Sequence, residues 1–296
     1  MVDYHGNFAW YELLTTDMTA AVSFYSGVLR WQVQDASTAE FVYNLFNTAE
    51  APVSGVMNLP EEARRMGATP RWVGYVAVDD IDAAAGRIER LGGTVHVAPT
   101  ATNIGRIAIV ADPQAATLAL VNGLEIPSMR RKPVEADEPG YVGWHELLAV
   151  DWRKAFEFYG DVFGWQGTEA DTGPTDSYRL FAAGGRTVGG IVTKRSVEPI
   201  PFWLYYFNVG DIDAAMARVS QGGGQVFAGP FEVPDGSWVV RCIDPQGAVF
   251  ALQGPRSQAN VKRAPASEFG WSAEWGGFSS RGRLLVSKAG GPDPKK

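Results

Sequence analysis

The stretch Trp10-Tyr11-Glu12-Leu13-Leu14-Thr15-Thr16-Asp17 decides the fold, because the chain writes it again as Trp144-His145-Glu146-Leu147-Leu148-Ala149-Val150-Asp151. The match runs on without a gap. Phe24-Tyr25, Val28 and Trp31-Gln32 return as Phe158-Tyr159, Val162 and Trp165-Gln166. A second block, Trp72-Val73-Gly74-Tyr75 with Asp80-Ile81-Asp82-Ala83-Ala84, returns as Trp203-Leu204-Tyr205-Tyr206 with Asp211-Ile212-Asp213-Ala214-Ala215. The turn Asp112-Pro113-Gln114 is repeated as Asp244-Pro245-Gln246. Two long copies mean a tandem duplication rather than a solenoid.

Periodicity then subdivides each copy. Phe8 to Leu14 reads as a strand, and Asp17 caps a helix from Met18 to Leu29 whose Ala21, Phe24, Tyr25 and Val28 share one face. Phe41 to Phe46 and Val53 to Leu59 read as strands. The order restarts with a strand from Arg71 to Val78 and a helix from Ile81 to Leu91 closed by Gly92-Gly93. Strands at Thr94 to Ala98, Arg106 to Ala111 and Thr117 to Val121 follow. Each half is therefore βαβββ followed by βαβββ, an α+β chain of four units. The domain reading is a first module at 1–122, a linker at 123–140, a second module at 141–254 and a tail at 255–296. The linker carries Pro127, Pro133 and Pro139 with Arg130-Arg131-Lys132, and reads as a solvated connector. The tail is rich in Gly, Ser, Arg and Lys, has no counterpart in the first half, and reads as a flexible appendage.

Composition bounds the partners. A net charge of −7 opposes nucleic-acid binding, which needs a basic face. No apolar run reaches the ~20 residues of a membrane span. Residues Met1 to Gly6 carry no basic stretch leading into an apolar core, so no secretory signal is expected. Cys242 is the single cysteine; it excludes an intramolecular disulfide and suits a reducing compartment. The expected location is the cytoplasm.

Four βαβββ units in two pairs resemble the vicinal-oxygen-chelate superfamily, also called the glyoxalase, bleomycin-resistance and extradiol-dioxygenase superfamily. The residues that carry the resemblance are Asp17, Phe24-Tyr25 and Val28-Leu29-Arg30-Trp31, their copies Asp151, Phe158-Tyr159 and Val162-Phe163-Gly164-Trp165, and the two Asp-Pro-Gln turns. The Trp-x-Glu-Leu opening looks like the two-module branch labelled glyoxalase-like or hydroxylase. Arg30 and Ala115 replace turn glycines that Gly164 and Gly247 keep, which suggests slightly relaxed turns in the first module.

The resemblance implies cupped sheets with metal ligands at set positions on their inner faces. Those positions hold Trp10, Val73 and Ala119 in one copy and Trp144, Leu204 and Ala251 in the other. None of these side chains can ligate a catalytic divalent ion, so no metal and no cofactor is expected. The three histidines are His5, His96 and His145; strand alternation turns His145 away from Trp144.

The same alternation places Trp10, Glu12 and Tyr75 inside one cup and Trp144, Glu146 and Tyr206 inside the other. Arg106 and Trp238 occupy equivalent positions taken as the two rims. An aromatic, apolar wall with a single carboxylate suits a small-molecule pocket. It equally suits a filled core in which Glu12 and Glu146 are paired with an arginine such as Arg106 or Arg241. The expectation is a metal-independent protein that holds a small organic or aromatic molecule, in sequestration or resistance. The alternative is a metal-free lyase, isomerase or hydroxylase-like enzyme with Glu12 or Glu146 as general base. A metal-dependent glyoxalase or dioxygenase is opposed by the ligand positions. Two modules in one chain can pair with each other as a monomer, or the chain can form a homodimer.

Overall fold

A computed structural model describes residues 5–39, 41–102, 105–123, 138–168, 178–195, 200–233 and 236–257. Apart from their ends, the linker and the tail read from the sequence lie outside those residues. The first module runs β1 (Phe8–Thr15), α1 (Met18–Leu29), β2 (Gln32–Asp35), β3 (Asn44–Asn47), β4 (Pro52–Asn58), α2 (Glu61–Arg65), β5 (Arg71–Ala77), α3 (Ile81–Arg90), β6 (Thr94–Thr102), β7 (Gly105–Ala111) and β8 (Thr117–Asn122). The second runs β9 (Val142–Ala149), α4 (Trp152–Phe163), β10 (Gln166–Gly167), β11 (Tyr178–Ala183), β12 (Arg186–Thr193), β13 (Phe202–Asn208), α5 (Ile212–Gln221), β14 (Gln225–Glu232), β15 (Trp238–Ile243) and β16 (Val249–Gly254).

Each module forms one eight-stranded mixed sheet. The orders are β2-β3-β4-β1-β5-β8-β7-β6 and β10-β11-β12-β9-β13-β16-β15-β14. The two copies thus have one topology, and β1 and β9 lie at matching central positions. Four helices start the same way. Asp17, Asp80, Asp151 and Asp211 each accept a backbone N–H of the first turn, satisfying donors that the helix itself cannot.

The buried residues of α1, α3, α4 and α5 and the sheet residues beneath them join into a single core that crosses the module boundary. Motifs repeated in the sequence meet there. Tyr25 Oη donates to Asp244 Oδ2 at 3.0 Å, and Tyr159 Oη donates to Asp112 Oδ2 at 3.1 Å. Each helix tyrosine therefore binds the Asp-Pro-Gln turn of the other module. Trp31 Nε1 donates to Gly140 O, and its copy Trp165 donates to Gly6 O. His145 also belongs to this junction. Its Nδ1 must donate to Val188 O, so Nε2 accepts from Tyr11 Oη at 2.6 Å. Burial pushes its pKa down to about 4, which leaves it neutral at neutral pH. No helix is long and apolar enough to cross a membrane among the described residues.

Two turns correct the sequence reading. Arg30 and Ala115 do not relax the first module. They adopt φ of 62° and 73°, as Gly164 and Gly247 adopt 71° and 99°. A side chain in this left-handed region costs roughly 1–2 kcal/mol, partly offset by the smaller entropy of a non-glycine unfolded chain. Arg30→Gly and Ala115→Gly are each expected to stabilise the protein by about 0.5–1 kcal/mol, measured by urea denaturation. A loss of stability in both variants would show that other contacts of Arg30 and Ala115 outweigh the backbone strain.

Candidate functional site

The sheet faces turned away from the shared core carry two separate clusters of buried apolar side chains, at the places the sequence reading assigned to the two cups. β1 gives the parity. Leu13 enters the shared core, whereas Trp10 and Leu14 belong to the first cup with Val73, Tyr75, Ala119 and Val121. Glu12 lies on the same face between Trp10 and Leu14. In the second copy Trp144, Leu148, Leu204, Tyr206 and Ala251 share a face.

Each cup is wired alike at its floor. In the first, Glu12 is buried and its two oxygens accept from different phenols, Tyr43 Oη at 2.7 Å and Tyr75 Oη at 2.5 Å. Trp10 Nε1 donates to Tyr43 Oη at 3.3 Å. In the second, Tyr206 Oη donates to Glu146 Oε2 at 2.8 Å, and Trp144 Nε1 donates to Tyr178 Oη at 3.2 Å. Glycines make room for the extra tyrosines. A Cβ at Gly55 would run into Tyr43, and one at Gly190 into Tyr178.

Tyr43 and Tyr178 are site residues that the sequence reading missed. A signal was present, since Tyr43-Asn44-Leu45-Phe46 is copied as Tyr178-Arg179-Leu180-Phe181. Arg106 and Trp238 are corrected. Ile107 and Ile109 of β7 face the first cup, so Arg106 lies on the opposite face, bound to Asp82 of α3 through both terminal nitrogens. Trp238 belongs to the shared core with Val240 and Cys242 and carries the Arg256 guanidinium over its ring.

The cups differ in charge. Arg241 Nη2 reaches Glu146 Oε2 at 2.5 Å, and Arg241 Nε donates to Tyr206 Oη at 3.3 Å. Arg241 pairs with Ala251, and the equivalent pair in the first module is Ile109 with Ala119. Glu12 therefore has two phenols and no cation among the described residues. Burial raises its pKa from the ordinary carboxylate value, with the Tyr75 and Tyr43 hydrogen bonds pulling back. Burial raises Tyr43 and Tyr75 as well, with the Glu12 charge adding to it, so both stay protonated donors.

The metal expected of this scaffold does not fit. Trp10, Val73 and Ala119 meet on one face, as do Trp144, Leu204 and Ala251. These are the positions where the scaffold would carry ligands, and they offer neither imidazole nor carboxylate. Among the described residues, no group of three or more His, Cys, Asp or Glu could hold a metal ion.

Comparison with known proteins agrees with this architecture. The model of the Glyoxalase/Bleomycin resistance protein/Dioxygenase superfamily matches residues 7–120 and 141–252, one match per module. The chain belongs to that superfamily. Among curated relatives, "Putative glyoxylase CFP32" of Mycobacterium tuberculosis is 31% identical, over 84% of this chain and 95% of the relative. "Anthracycline biosynthesis protein DauV" of Streptomyces sp. (strain C5) is 30% identical, over 82% of this chain and 91% of the relative. Among solved structures, the Mn(II)-bound glyoxalase from Novosphingobium aromaticivorans superposes with a TM-score of 0.58 at 16% identity, covering 86% of this chain and 83% of that one. The 2,3-dioxygenase LapB from Pseudomonas sp. KL28 gives 0.59 at 12% identity, covering 86% and 94%. At such identities these two likenesses concern the fold alone.

Proposed function

We propose that the protein binds a small aromatic organic molecule in its first cup without a metal, in sequestration or resistance, and that the second cup is structural. One observation carries this reading. Glu12 sits beneath Trp10, Tyr43 and Tyr75 with no cation among the described residues to offset its charge, while the matching Glu146 is held by Arg241. A buried carboxylate without a counter-charge is costly, and such cost persists at functional sites. Relatives named for anthracycline biosynthesis support an aromatic ligand. A second reading is that Glu12 is the general base of a metal-free lyase, isomerase or hydroxylase-like enzyme. Its raised pKa favours it, because a base works best with a pKa near the working pH. In either case the two modules pair within one chain, so a monomer suffices.

Native mass spectrometry of protein from its own host, seeking a co-purifying small molecule, is the direct test. Glu12→Gln then separates the readings. A carboxylate that only orients the ligand should lose about tenfold in affinity. A general base should lose ~10²–10⁴-fold in turnover while binding survives. Glu146→Gln should change neither by more than about twofold. Negligible effects of both substitutions would make both glutamates structural. Stability supplies an independent check. A raised carboxylate pKa means the folded state holds its proton to higher pH than the unfolded chain does. Glu12 therefore contributes most below its unfolded value of about 4.3 and progressively less as pH rises through its folded value. Glu12→Gln should remove that decline.

A further inference from the structure

The two modules carry a cup-facing arginine in different places. In the second module it is Arg241, spent on Glu146. In the first it is Arg71, at the start of β5. Arg71 shares the parity of Val73 and Tyr75 and pairs across the ladder with Leu14. The equivalent of Arg71 in the second module is Phe202, which pairs with Leu148.

Arg71 is half-buried, and its Nε donates to the Thr69 carbonyl at 3.0 Å. Among the described residues no carboxylate forms an ion pair with it. Burial lowers its pKa from the ordinary arginine value, and no anion among the described residues holds it up. The floor of the first cup therefore runs from Trp10 and Tyr75, through Glu12 and Val73, to Leu14 and Arg71 at one end. Glu12 and Arg71 occupy neighbouring cross-strand rows on that face, two residues or ~7 Å apart along the strands. Phe41 is exposed and stacks on Tyr43 with ring centroids 5.4 Å apart, extending the aromatic surface outward from Glu12.

We infer that the ligand of the first cup is an aromatic acid, whose carboxylate or enolate docks on the Arg71 guanidinium while its polar hydrogen points to Glu12. This rests on the first cup being the binding site. A guanidinium that has shed part of its water and has no protein anion gains most from a ligand oxyanion, through paired charge-assisted hydrogen bonds. The second cup differs at both positions: Phe202 stands where Arg71 stands in the first, and Arg241 is already paired with Glu146.

The probes are benzoate, phenylacetate, 4-hydroxybenzoate and 1-naphthoate, each with its methyl ester, titrated by ligand-observed NMR and calorimetry. The acids are expected to bind at least tenfold more tightly than the esters. Arg71→Phe, which copies the second module, should abolish that preference, and Arg71→Lys should keep part of it. Neither variant should move the melting temperature by more than about two degrees, since no protein ion pair is lost. Acids binding no better than esters, or a preference that survives in Arg71→Phe, would overturn the assignment. Esters that bind wild type but fail to bind Leu45→Trp, which crowds the cup, would leave the first-cup reading standing while the Arg71 assignment falls. Binding by no member of the panel would remove both.

Discussion

Arg241→Met should destabilise the protein by about 3–5 kcal/mol, the cost of stranding a buried charge. Glu146 is 1% exposed and Arg241 13% exposed, so water cannot replace the guanidinium. Tyr206 would remain as a donor to Glu146, but one phenol does not offset a full charge. The double variant Glu146→Leu/Arg241→Met should recover most of the loss, since well-packed apolar replacements for a buried pair are often neutral. Ile109→Met, at the matching position of the first cup, is a volume-conserving swap that should cost less than about 1.5 kcal/mol. Chemical denaturation measures all three variants. Equal small losses at 241 and 109 would mean that Glu146 does not depend on Arg241.

That contrast also explains what the sequence could convey. Whatever duplication copied was readable. The Trp-x-Glu-Leu strand, the four capping aspartates and the Asp-Pro-Gln turns occur twice, and the βαβββ units follow from them. The charge of the cups was not readable in this way, because it lies where the copies differ. Arg241 answers Ile109, and Arg71 answers Phe202. Arg106 and Trp238 were assigned to the rims one residue out of phase, and in a strand a single step turns a side chain to the other face. β2 left no alternating pattern to find, because all four of its residues are exposed at a sheet edge. The role of Phe24-Tyr25 was half visible. An apolar helix face has to be buried, but no pattern within one module says that the burying surface belongs to the other.

Phe24→Ala should test that last point with a loss on the order of 3–5 kcal/mol. Phe24 is 4% exposed, and its ring meets Phe250 of the second sheet edge-on at 5.8 Å. It also covers Gly222 and Gly224, where a Cβ would stand 2.8 Å from the ring. Beside it, Arg218 of α5 donates to the Val28 carbonyl of α1 at 2.9 Å. The reciprocal contact joins α3 to α4, where Arg87 donates to the Asp161 carbonyl at 2.6 Å. The cavity left by Phe24→Ala would thus open in the junction between modules, not inside one of them. Because one core crosses that junction, the described body should unfold in a single calorimetric transition, and Phe24→Ala should lower its midpoint by on the order of 10 °C. Phe158→Ala should lower the same transition by a similar amount, although it sits in the other copy. Two resolved transitions, with each substitution moving only one of them, would show modules that fold independently. The tyrosine–aspartate exchange between Tyr25 and Asp244 and between Tyr159 and Asp112 would then hold two finished domains together instead of completing one.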